Sequence, residues 1–340
     1  MVDSNLYIVK GDRELDKNIS NTLKGILIIL IVIGHNSILT RSIDGLFEYL
    51  YSFHVMLFFI LPWFYKRKPS NIHQTVNRSV KLYLYYIVFF ILQVVLYNIL
   101  IEHNFSPTES VYAFLRGGHH ALKVVTGYEY LWFLPCFCIS MIVYDIFCHL
   151  PKKGQIIFNI LVIIVVLIFI NIRYQGCNAL IQGVYFASLG AVSVMLYNYV
   201  FRYLNKSVPM LLFVIMSLFV FIKPIQTTYY IYIYIYIYIY IVQFMPFIAF
   251  FALWNAGEWL SKRSKAFAAI GKLSLLIYLI HPLVFQFLIR VIPTLTNNQI
   301  LYGIIILIAT LVITIIASWI IDIMLLKLQR KNTIKLSKTE

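Results

Sequence analysis

The sequence predicts an all-α, polytopic membrane protein of about ten transmembrane helices with both termini in the cytoplasm. Three observations predict it. Hydrophobic residues make up 61% of the 340 positions and charged residues only 12%, against about 45–50% and about 25% in an ordinary soluble domain. The apolar residues are gathered into stretches of about 20, the length a helix needs to cross the hydrocarbon core. The basic residues are segregated as well. Threaded through ten spans from a cytoplasmic N-terminus, 22 of the 28 Lys and Arg fall inside and 6 outside, the bias of the positive-inside rule. A miscounted span would reverse every later loop and mix the two groups.

The same composition excludes a water-soluble globule and a disordered chain. A transmembrane barrel needs short segments of alternating polarity, which is not the pattern here. The net charge of +15 belongs to cytoplasmic loops, so membrane lipids are expected partners and nucleic acid is not. Cys136, Cys138, Cys148 and Cys177 lie in or beside apolar stretches. The Cys136-x-Cys138 spacing is too tight for a zinc pair, so all four read as core residues. Met1 to Ser20 carries charges of both signs and no cleavable apolar core, so the first span is expected to act as an uncleaved insertion signal.

In chain order the spans are read at 23–40, 46–65 and 80–101, then 130–149, 155–171, 179–200, 208–223, 229–254, 270–290 and 299–326. Lys24 and Arg41 bracket the first. Lys66-Arg67-Lys68 closes the second, and Arg78 and Lys81 open the third. The connection 102–129 is the longest in the chain. Lys152 and Lys153, Arg173, Arg202 and Lys206, then Lys223 separate the fourth to eighth spans. Lys262, Arg263 and Lys265 precede the ninth, Lys272 lies at its start, Arg290 ends it, and Lys327 follows the tenth. The organisation is therefore a cytoplasmic segment 1–22, a ten-helix membrane domain 23–326 and a basic cytoplasmic tail 327–340, in the plasma (inner) membrane. From Tyr229 to Ile241 the chain is almost pure Tyr-Ile alternation. Period two suggests a strand, but a lone strand cannot satisfy its backbone in lipid, so this stretch is read as helix without a chemical role.

An ionisable side chain inside a span costs about 2.5–3.5 kcal/mol on insertion scales and needs a reason. His35 follows Leu23-Lys24-Gly25 and a run of eight aliphatic residues ending in Gly34. It sits about 16 Å along the axis from Lys24, past the bilayer centre. It either bridges helices by hydrogen bonds or serves as a general base or acyl-handling group, since neutral imidazole can accept a hydroxyl proton near neutral pH. His54 enters from the outer side, about 12 Å into the second span. His281, before Pro282, lies at mid-membrane in the ninth span, where the missing proline N–H suggests a kink beside a cavity. For both, helix packing and a place in the site remain open. No His-x-x-x-His or Glu-x-x-His spacing and no carboxylate at that depth accompanies the three, so no metal is predicted. Asp145, Glu258 and Asp322 fall near cytoplasmic helix ends, where a wetted or ion-paired carboxylate is expected. Arg78-x-x-Lys81 shares one helix face and reads as headgroup contact or as a phosphate clamp. In the long connection, Arg116-Gly-Gly-His119-His120 is followed by Gly127-Tyr128-Glu129-Tyr130-Leu131-Trp132-Phe133-Leu134. These aromatics fit an interfacial belt, and Glu129 could orient a sugar hydroxyl.

Four of these elements together resemble acyltransferase family 3, the integral membrane acetylases of O-antigen, exopolysaccharide and related glycans. Lys24 with ten residues to His35 is similar to that family's Arg/Lys-x10-His in the first span. Arg78-x-x-Lys81 resembles its Arg-x-x-Arg, and Tyr130-Leu131-Trp132-Phe133-Leu134 its Leu-Trp-Phe-Leu. Gly271-Lys272-Leu273-Ser274 continuing to Ile277-Tyr278-Leu279-Ile280-His281 resembles its Gly-x-x-Ser-x-x-Ile-Tyr-Leu-x-His. The likeness runs from about residue 18 to 325. It departs in the second span, where Val55-Met56 replaces the family's x-Pro and Leu61-Pro62-Trp63 stands where Ser-Gly is usual. Lys81 also replaces an Arg, which gives up bidentate phosphate geometry.

The resemblance implies O-acyl transfer from cytoplasmic acetyl-CoA, with Lys24, Arg78 and Lys81 on the donor phosphates. His35 would be catalytic, and the acceptor a hydroxyl of a cell-surface polysaccharide or lipid-linked sugar. His54, Glu129, Trp132 and His281 are the acceptor-binding candidates it suggests. A glycolipid or oligosaccharide transporter or flippase would use similar features, but many transporters show an internal repeat between chain halves, and none is visible here. A non-catalytic partner of a membrane glycan synthase is the third reading.

Overall fold

A computed structural model describes residues 15–64, 72–97, 106–128, 130–171, 178–222, 231–292 and 296–336. Glu129, Cys177 and the 66–68 basic cluster lie outside the described residues. Among those described there is no strand, and the helices run in order. The first four are α1 Lys17–His35, α2 Ser37–Ser42, α3 Leu46–Tyr51 and α4 His54–Phe64. Then come α5 Ile72–Tyr97, α6 Pro107–Arg116, α7 His119–Thr126 and α8 Phe133–His149, the last preceded by a 3₁₀ turn at Tyr130–Trp132. The rest are α9 Lys152–Asn171, α10 Ala179–Tyr199, α11 Ser207–Ile222, α12 Ile231–Arg263, α13 Ala266–Lys272, α14 Ser274–Val291 and α15 Gln299–Leu336.

The all-α membrane architecture read from composition is what the chain adopts. Among the described residues seven helical segments are long and apolar enough to cross a membrane: Lys17–His35, Leu46–Phe64, Gln74–Tyr97, Tyr130–His149, Ala179–Tyr203, Ser274–Val291 and Gln299–Lys327. Two shorter apolar helices, Lys153–Ile164 and Ser207–Phe221, fall where the fifth and seventh spans were read. The Tyr-Ile run from Ile231 onward is helical, within α12.

Element edges differ from the reading in an instructive way. Helix α1 starts at Lys17, six residues before the apolar run. Its first turns bury Ser20, Asn21 and Thr22, and Asn18 Nδ2 donates to the Ser261 carbonyl at 3.2 Å. Hydropathy marks where lipid begins, whereas the helix continues wherever its polar groups find partners. The spans read as continuous at 23–40 and 46–65 are each broken, after His35 and at Ser52–Phe53. The carboxylates also divide: Asp145 is buried rather than wetted, while Glu258, past the eighth span, receives Lys206 at 2.8 Å and Lys262 at 3.4 Å. The Lys206 ammonium holds the Glu258 carboxyl below its ordinary range.

The chain forms two compact units, divided within α4 between Val55 and Met56 and again after Asn205. In the unit built from Met56–Asn205, α8 lies against α5 and α10, α9 packs on α10, and α6 pairs with α7. Its core is aromatic. Phe59 stacks on Phe186 at 4.2 Å and meets Phe133 edge-on at 4.9 Å, and Tyr86 stacks on Phe114 at 5.0 Å. Gly117 and Gly127, at φ 59° and 68°, end α6 and α7 in the left-handed conformation that glycine tolerates.

The other unit, Lys17–Val55 with the chain from Lys206 onward, is organised around α1, which packs on α13, α12, α14, α3, α2 and α15. Here backbones touch. A Cβ on Gly25 would collide with the Phe267 carbonyl, and one on Gly271 with the Asn21 carbonyl. Small residues let helices approach this closely, as in membrane helix pairs generally.

Candidate active site

The site grows from the end of α1. Asn36 leaves the helix at φ −76°, ψ 90° and turns its side chain back on the chain. Its Oδ1 accepts from the N–H groups of Ile38 at 3.2 Å and Leu39 at 3.1 Å, capping α2. Its Nδ2 donates to the Gly303 carbonyl of α15 at 2.8 Å. One fully buried amide thus ends α1, begins α2 and ties both to α15. The residue fixed by this arrangement is His35.

His35 lies against His281 of α14, with ring centroids 5.0 Å apart and planes within 18°. His35 Nδ1 is 2.8 Å from His281 Nε2, and His281 Nδ1 is 3.0 Å from the Ile277 carbonyl. A carbonyl only accepts, so His281 Nδ1 carries hydrogen. In the neutral ring its Nε2 then holds the lone pair and accepts from His35 Nδ1–H. That tautomer puts the lone pair of His35 on Nε2. His281 is buried, whereas His35 is part-exposed. The missing N–H of Pro282 removes one helical bond from α14, just past the histidine it follows.

The register of the two imidazoles comes from the glycine contacts. Gly25 precedes His35 by ten residues, and Gly271 precedes His281 by ten. On α1, at 1.5 Å per residue, that places the His35 ring about 15 Å above the close crossing, whereas His281 lies in α14, past the break at Leu273 that ends α13. The two equal spacings are visible in the sequence; that they start from one contact is not.

His54 completes a cluster. It is fully buried, and its Nδ1–H donates to the Leu50 carbonyl of α3 in a short bond. Gly34 leaves the space beside it: a Cβ there would stand 3.4 Å from Tyr51 Cε2 and 3.5 Å from His54 Nε2. Tyr51 meets His54 edge-on at 4.9 Å and His35 edge-on at 6.3 Å. The break at Ser52 makes this possible, because Ser52 Oγ donates to the Tyr49 carbonyl and His54 to Leu50, both at the end of α3. The reading singled out His35, His54 and His281 but not Tyr51, which carries no polarity signal distinguishing it from the many tyrosines around it.

Of the remaining candidates, Lys24 is half-buried on α1, its Nζ 3.0 Å from Asn21 Oδ1. Arg78 and Lys81 are exposed on α5 in the other unit. Trp132, also in that unit, packs its ring on His119 at 4.3 Å and on Phe186 at 5.6 Å. Trp132 therefore has a histidine partner from α7 that the sequence did not reveal. Among the described residues no group of three His, Cys, Asp or Glu side chains is placed to hold a metal ion.

Neither the curated proteins nor the solved structures contain a match to the chain. A family model does match. It is acyltransferase family 3, described as an acyltransferase domain, and it spans residues 18–319, from the second residue of α1 to well inside α15. The match takes in every helix that builds the histidine cluster, and the chain belongs to this family of membrane acyltransferases.

Proposed function

We propose that this protein acylates a hydroxyl of a cell-surface polysaccharide or lipid-linked sugar in the plasma (inner) membrane, using cytoplasmic acetyl-CoA. The observation that carries the reading is the chain from the Ile277 carbonyl through His281 to His35. It fixes which nitrogen of His35 holds a lone pair, and it does so with neutral groups that a membrane interior tolerates.

In this reaction the acceptor hydroxyl attacks the thioester carbonyl as His35 Nε2 takes its proton. A carbon–oxygen bond forms and a tetrahedral intermediate results. The carbon–sulfur bond then breaks, and the imidazolium returns the proton to the departing thiolate. The products are the ester and free coenzyme A, and the base is regenerated. General-base assistance of this kind contributes about 10²–10⁴-fold. Lys24, Arg78 and Lys81 are the cations assigned to the donor's phosphates, and Trp132 and Glu129 are assigned to the acceptor. His281 is a positioning residue: it touches His35 rather than the reacting atoms.

The test is His35→Ala in cells, with mass spectrometry of surface glycans and a check that the protein remains folded in the membrane. Loss of the acyl mark with folded protein is the expected result. A normal mark would overturn the reading. Purified protein that fails to bind acetyl-CoA, with Lys24→Ala and Arg78→Ala changing nothing, would remove the donor assignment.

A further inference from the structure

His54 presents a nitrogen that the fold does not use. Its ring is fully buried, and its tautomer is fixed because Nδ1–H is given to the Leu50 carbonyl. Nε2 therefore holds a lone pair, and among the described residues no hydrogen-bond donor reaches it. A buried acceptor left unsatisfied destabilises a fold, and a membrane interior offers no bulk water in exchange. The nitrogen faces Gly34, the residue before His35, where a Cβ would stand 3.5 Å from it. Phenylalanine would fill the ring's volume without the orphan nitrogen. The Leu50 carbonyl would still receive the Phe53 N–H at 3.2 Å. The Nδ1–H bond to Leu50 serves the fold, and among the described residues nothing in the fold uses Nε2.

We infer that His54 Nε2 and the space beside Gly34 form a subsite for a second hydroxyl of the acceptor, next to the hydroxyl that His35 deprotonates. The ligand class is a diol, the functional group every sugar ring presents. One hydroxyl gives its proton to His35 Nε2 and reacts. Its neighbour donates a hydrogen bond to His54 Nε2 and keeps its proton, so no charge develops at the buried ring. The subsite orients the sugar and thereby selects which oxygen is acylated. Tyr51, edge-on to both rings, walls the space between them. This inference rests on the acyl-transfer reading for its ligand.

The experiment uses the full chain in lipid nanodiscs and compares wild type, His54→Phe and His54→Gln. Calorimetric titration with surface polysaccharide from cells lacking the gene reads acceptor binding without needing turnover, and thermal unfolding reads the fold. His54→Phe is expected to weaken acceptor binding tenfold or more while leaving Tm unchanged or raised. His54→Gln, whose side-chain oxygen can accept near the place of Nε2, is expected to recover most of the binding. Unchanged acceptor binding in His54→Phe overturns the inference, and so does a Tm lowered by several degrees, which would show that Nε2 serves the fold. Wild-type protein that binds the polysaccharide but never acylates it would instead sink the acyl-transfer reading, and the titration would still decide the role of His54.

Discussion

The helices around α1 and those around α8 solve the same packing problem with different materials. Around α8 the contacts are ring on ring: Phe59 with Phe133, Phe137 and Phe186, and Trp63 with Tyr144 and Phe147. Around α1 they are backbone on backbone at Gly25 and Gly271, and polar side chain on polar group at His35, His281, Asn36 and Gly303. Aromatic pairs are held by area and a broad quadrupolar preference, so a ring can shift by a few tenths of an ångström at little cost. A backbone seated on another backbone has no rotamer to change. The chemistry proposed for His35 falls in the unit whose positions are fixed more tightly, as proton transfer at hydrogen-bond distance demands.

The strongest way to break this comparison is Gly271→Ala. The new methyl would meet the Asn21 carbonyl, which can move only if α1 or α13 moves. The expected cost is about 3 kcal/mol or more, at the upper end of overpacking effects, read by unfolding in micelles. Acyl transfer should fall as well, even in the fraction that stays folded, because α13, which carries the contact, leads through Leu273 into α14 and His281. A stable, fully active Gly271→Ala protein would mean that the close crossing does not set the register of the imidazoles.

Next in size is His281. Replacing it with Phe keeps the volume but leaves His35 Nδ1–H without its acceptor, so the tautomer and ring angle are no longer fixed. Loss of the group that orients a metal-bound histidine typically costs about 10–100-fold, and an effect of about that size is expected for this metal-free pair. The expected result is a fall in kcat of that order with acetyl-CoA binding retained. His281→Gln, whose oxygen can accept from His35, should recover part of it. If kcat stays at the wild-type level while Tm drops, His281 is a packing residue and the neutral relay is wrong.

These two tests also mark what could be read before the fold was known. Composition and charge segregation gave the membrane class directly, because lipid penalises each charge separately and the penalty adds up along the chain. His35 was legible for the same reason: one imidazole among eight aliphatic residues stands out. Its pairing with His281 was not, since the two are 246 residues apart and neither sequence neighbourhood names the other. Asn36 looked like added polarity and proved to end the helix, because a side-chain cap depends on backbone angles that hydropathy does not encode. The glycines at 25 and 271 were quoted with their motifs, yet their function, bringing two carbonyl-lined backbones together, exists only between helices. Span edges failed in two ways, starting too late at Lys17 and running too far past His35. Polar turns can remain helical, and apolar stretches can break.

The smallest effect sharpens the comparison from the other side. Gly190→Ala, in the aromatic unit, would also drive a methyl into a neighbour, here the Trp63 indole. At Gly190, α10 leaves a notch that this tryptophan fills. The indole already lies at an angle to Tyr144, 4.8 Å away, and to Phe147, 5.3 Å away, and it can slide against them. The expected cost is about 1–2 kcal/mol, the ordinary range for overpacking a core, with acyl transfer per folded molecule unchanged. Pairing the change with Trp63→Phe should return most of the loss, because the smaller ring vacates the notch. An equal penalty for Gly190→Ala and Gly271→Ala would erase the distinction between ring and backbone contacts. A penalty at least 1 kcal/mol smaller for Gly190→Ala would support it, since both substitutions add the same methyl and differ only in whether the atom opposite can move.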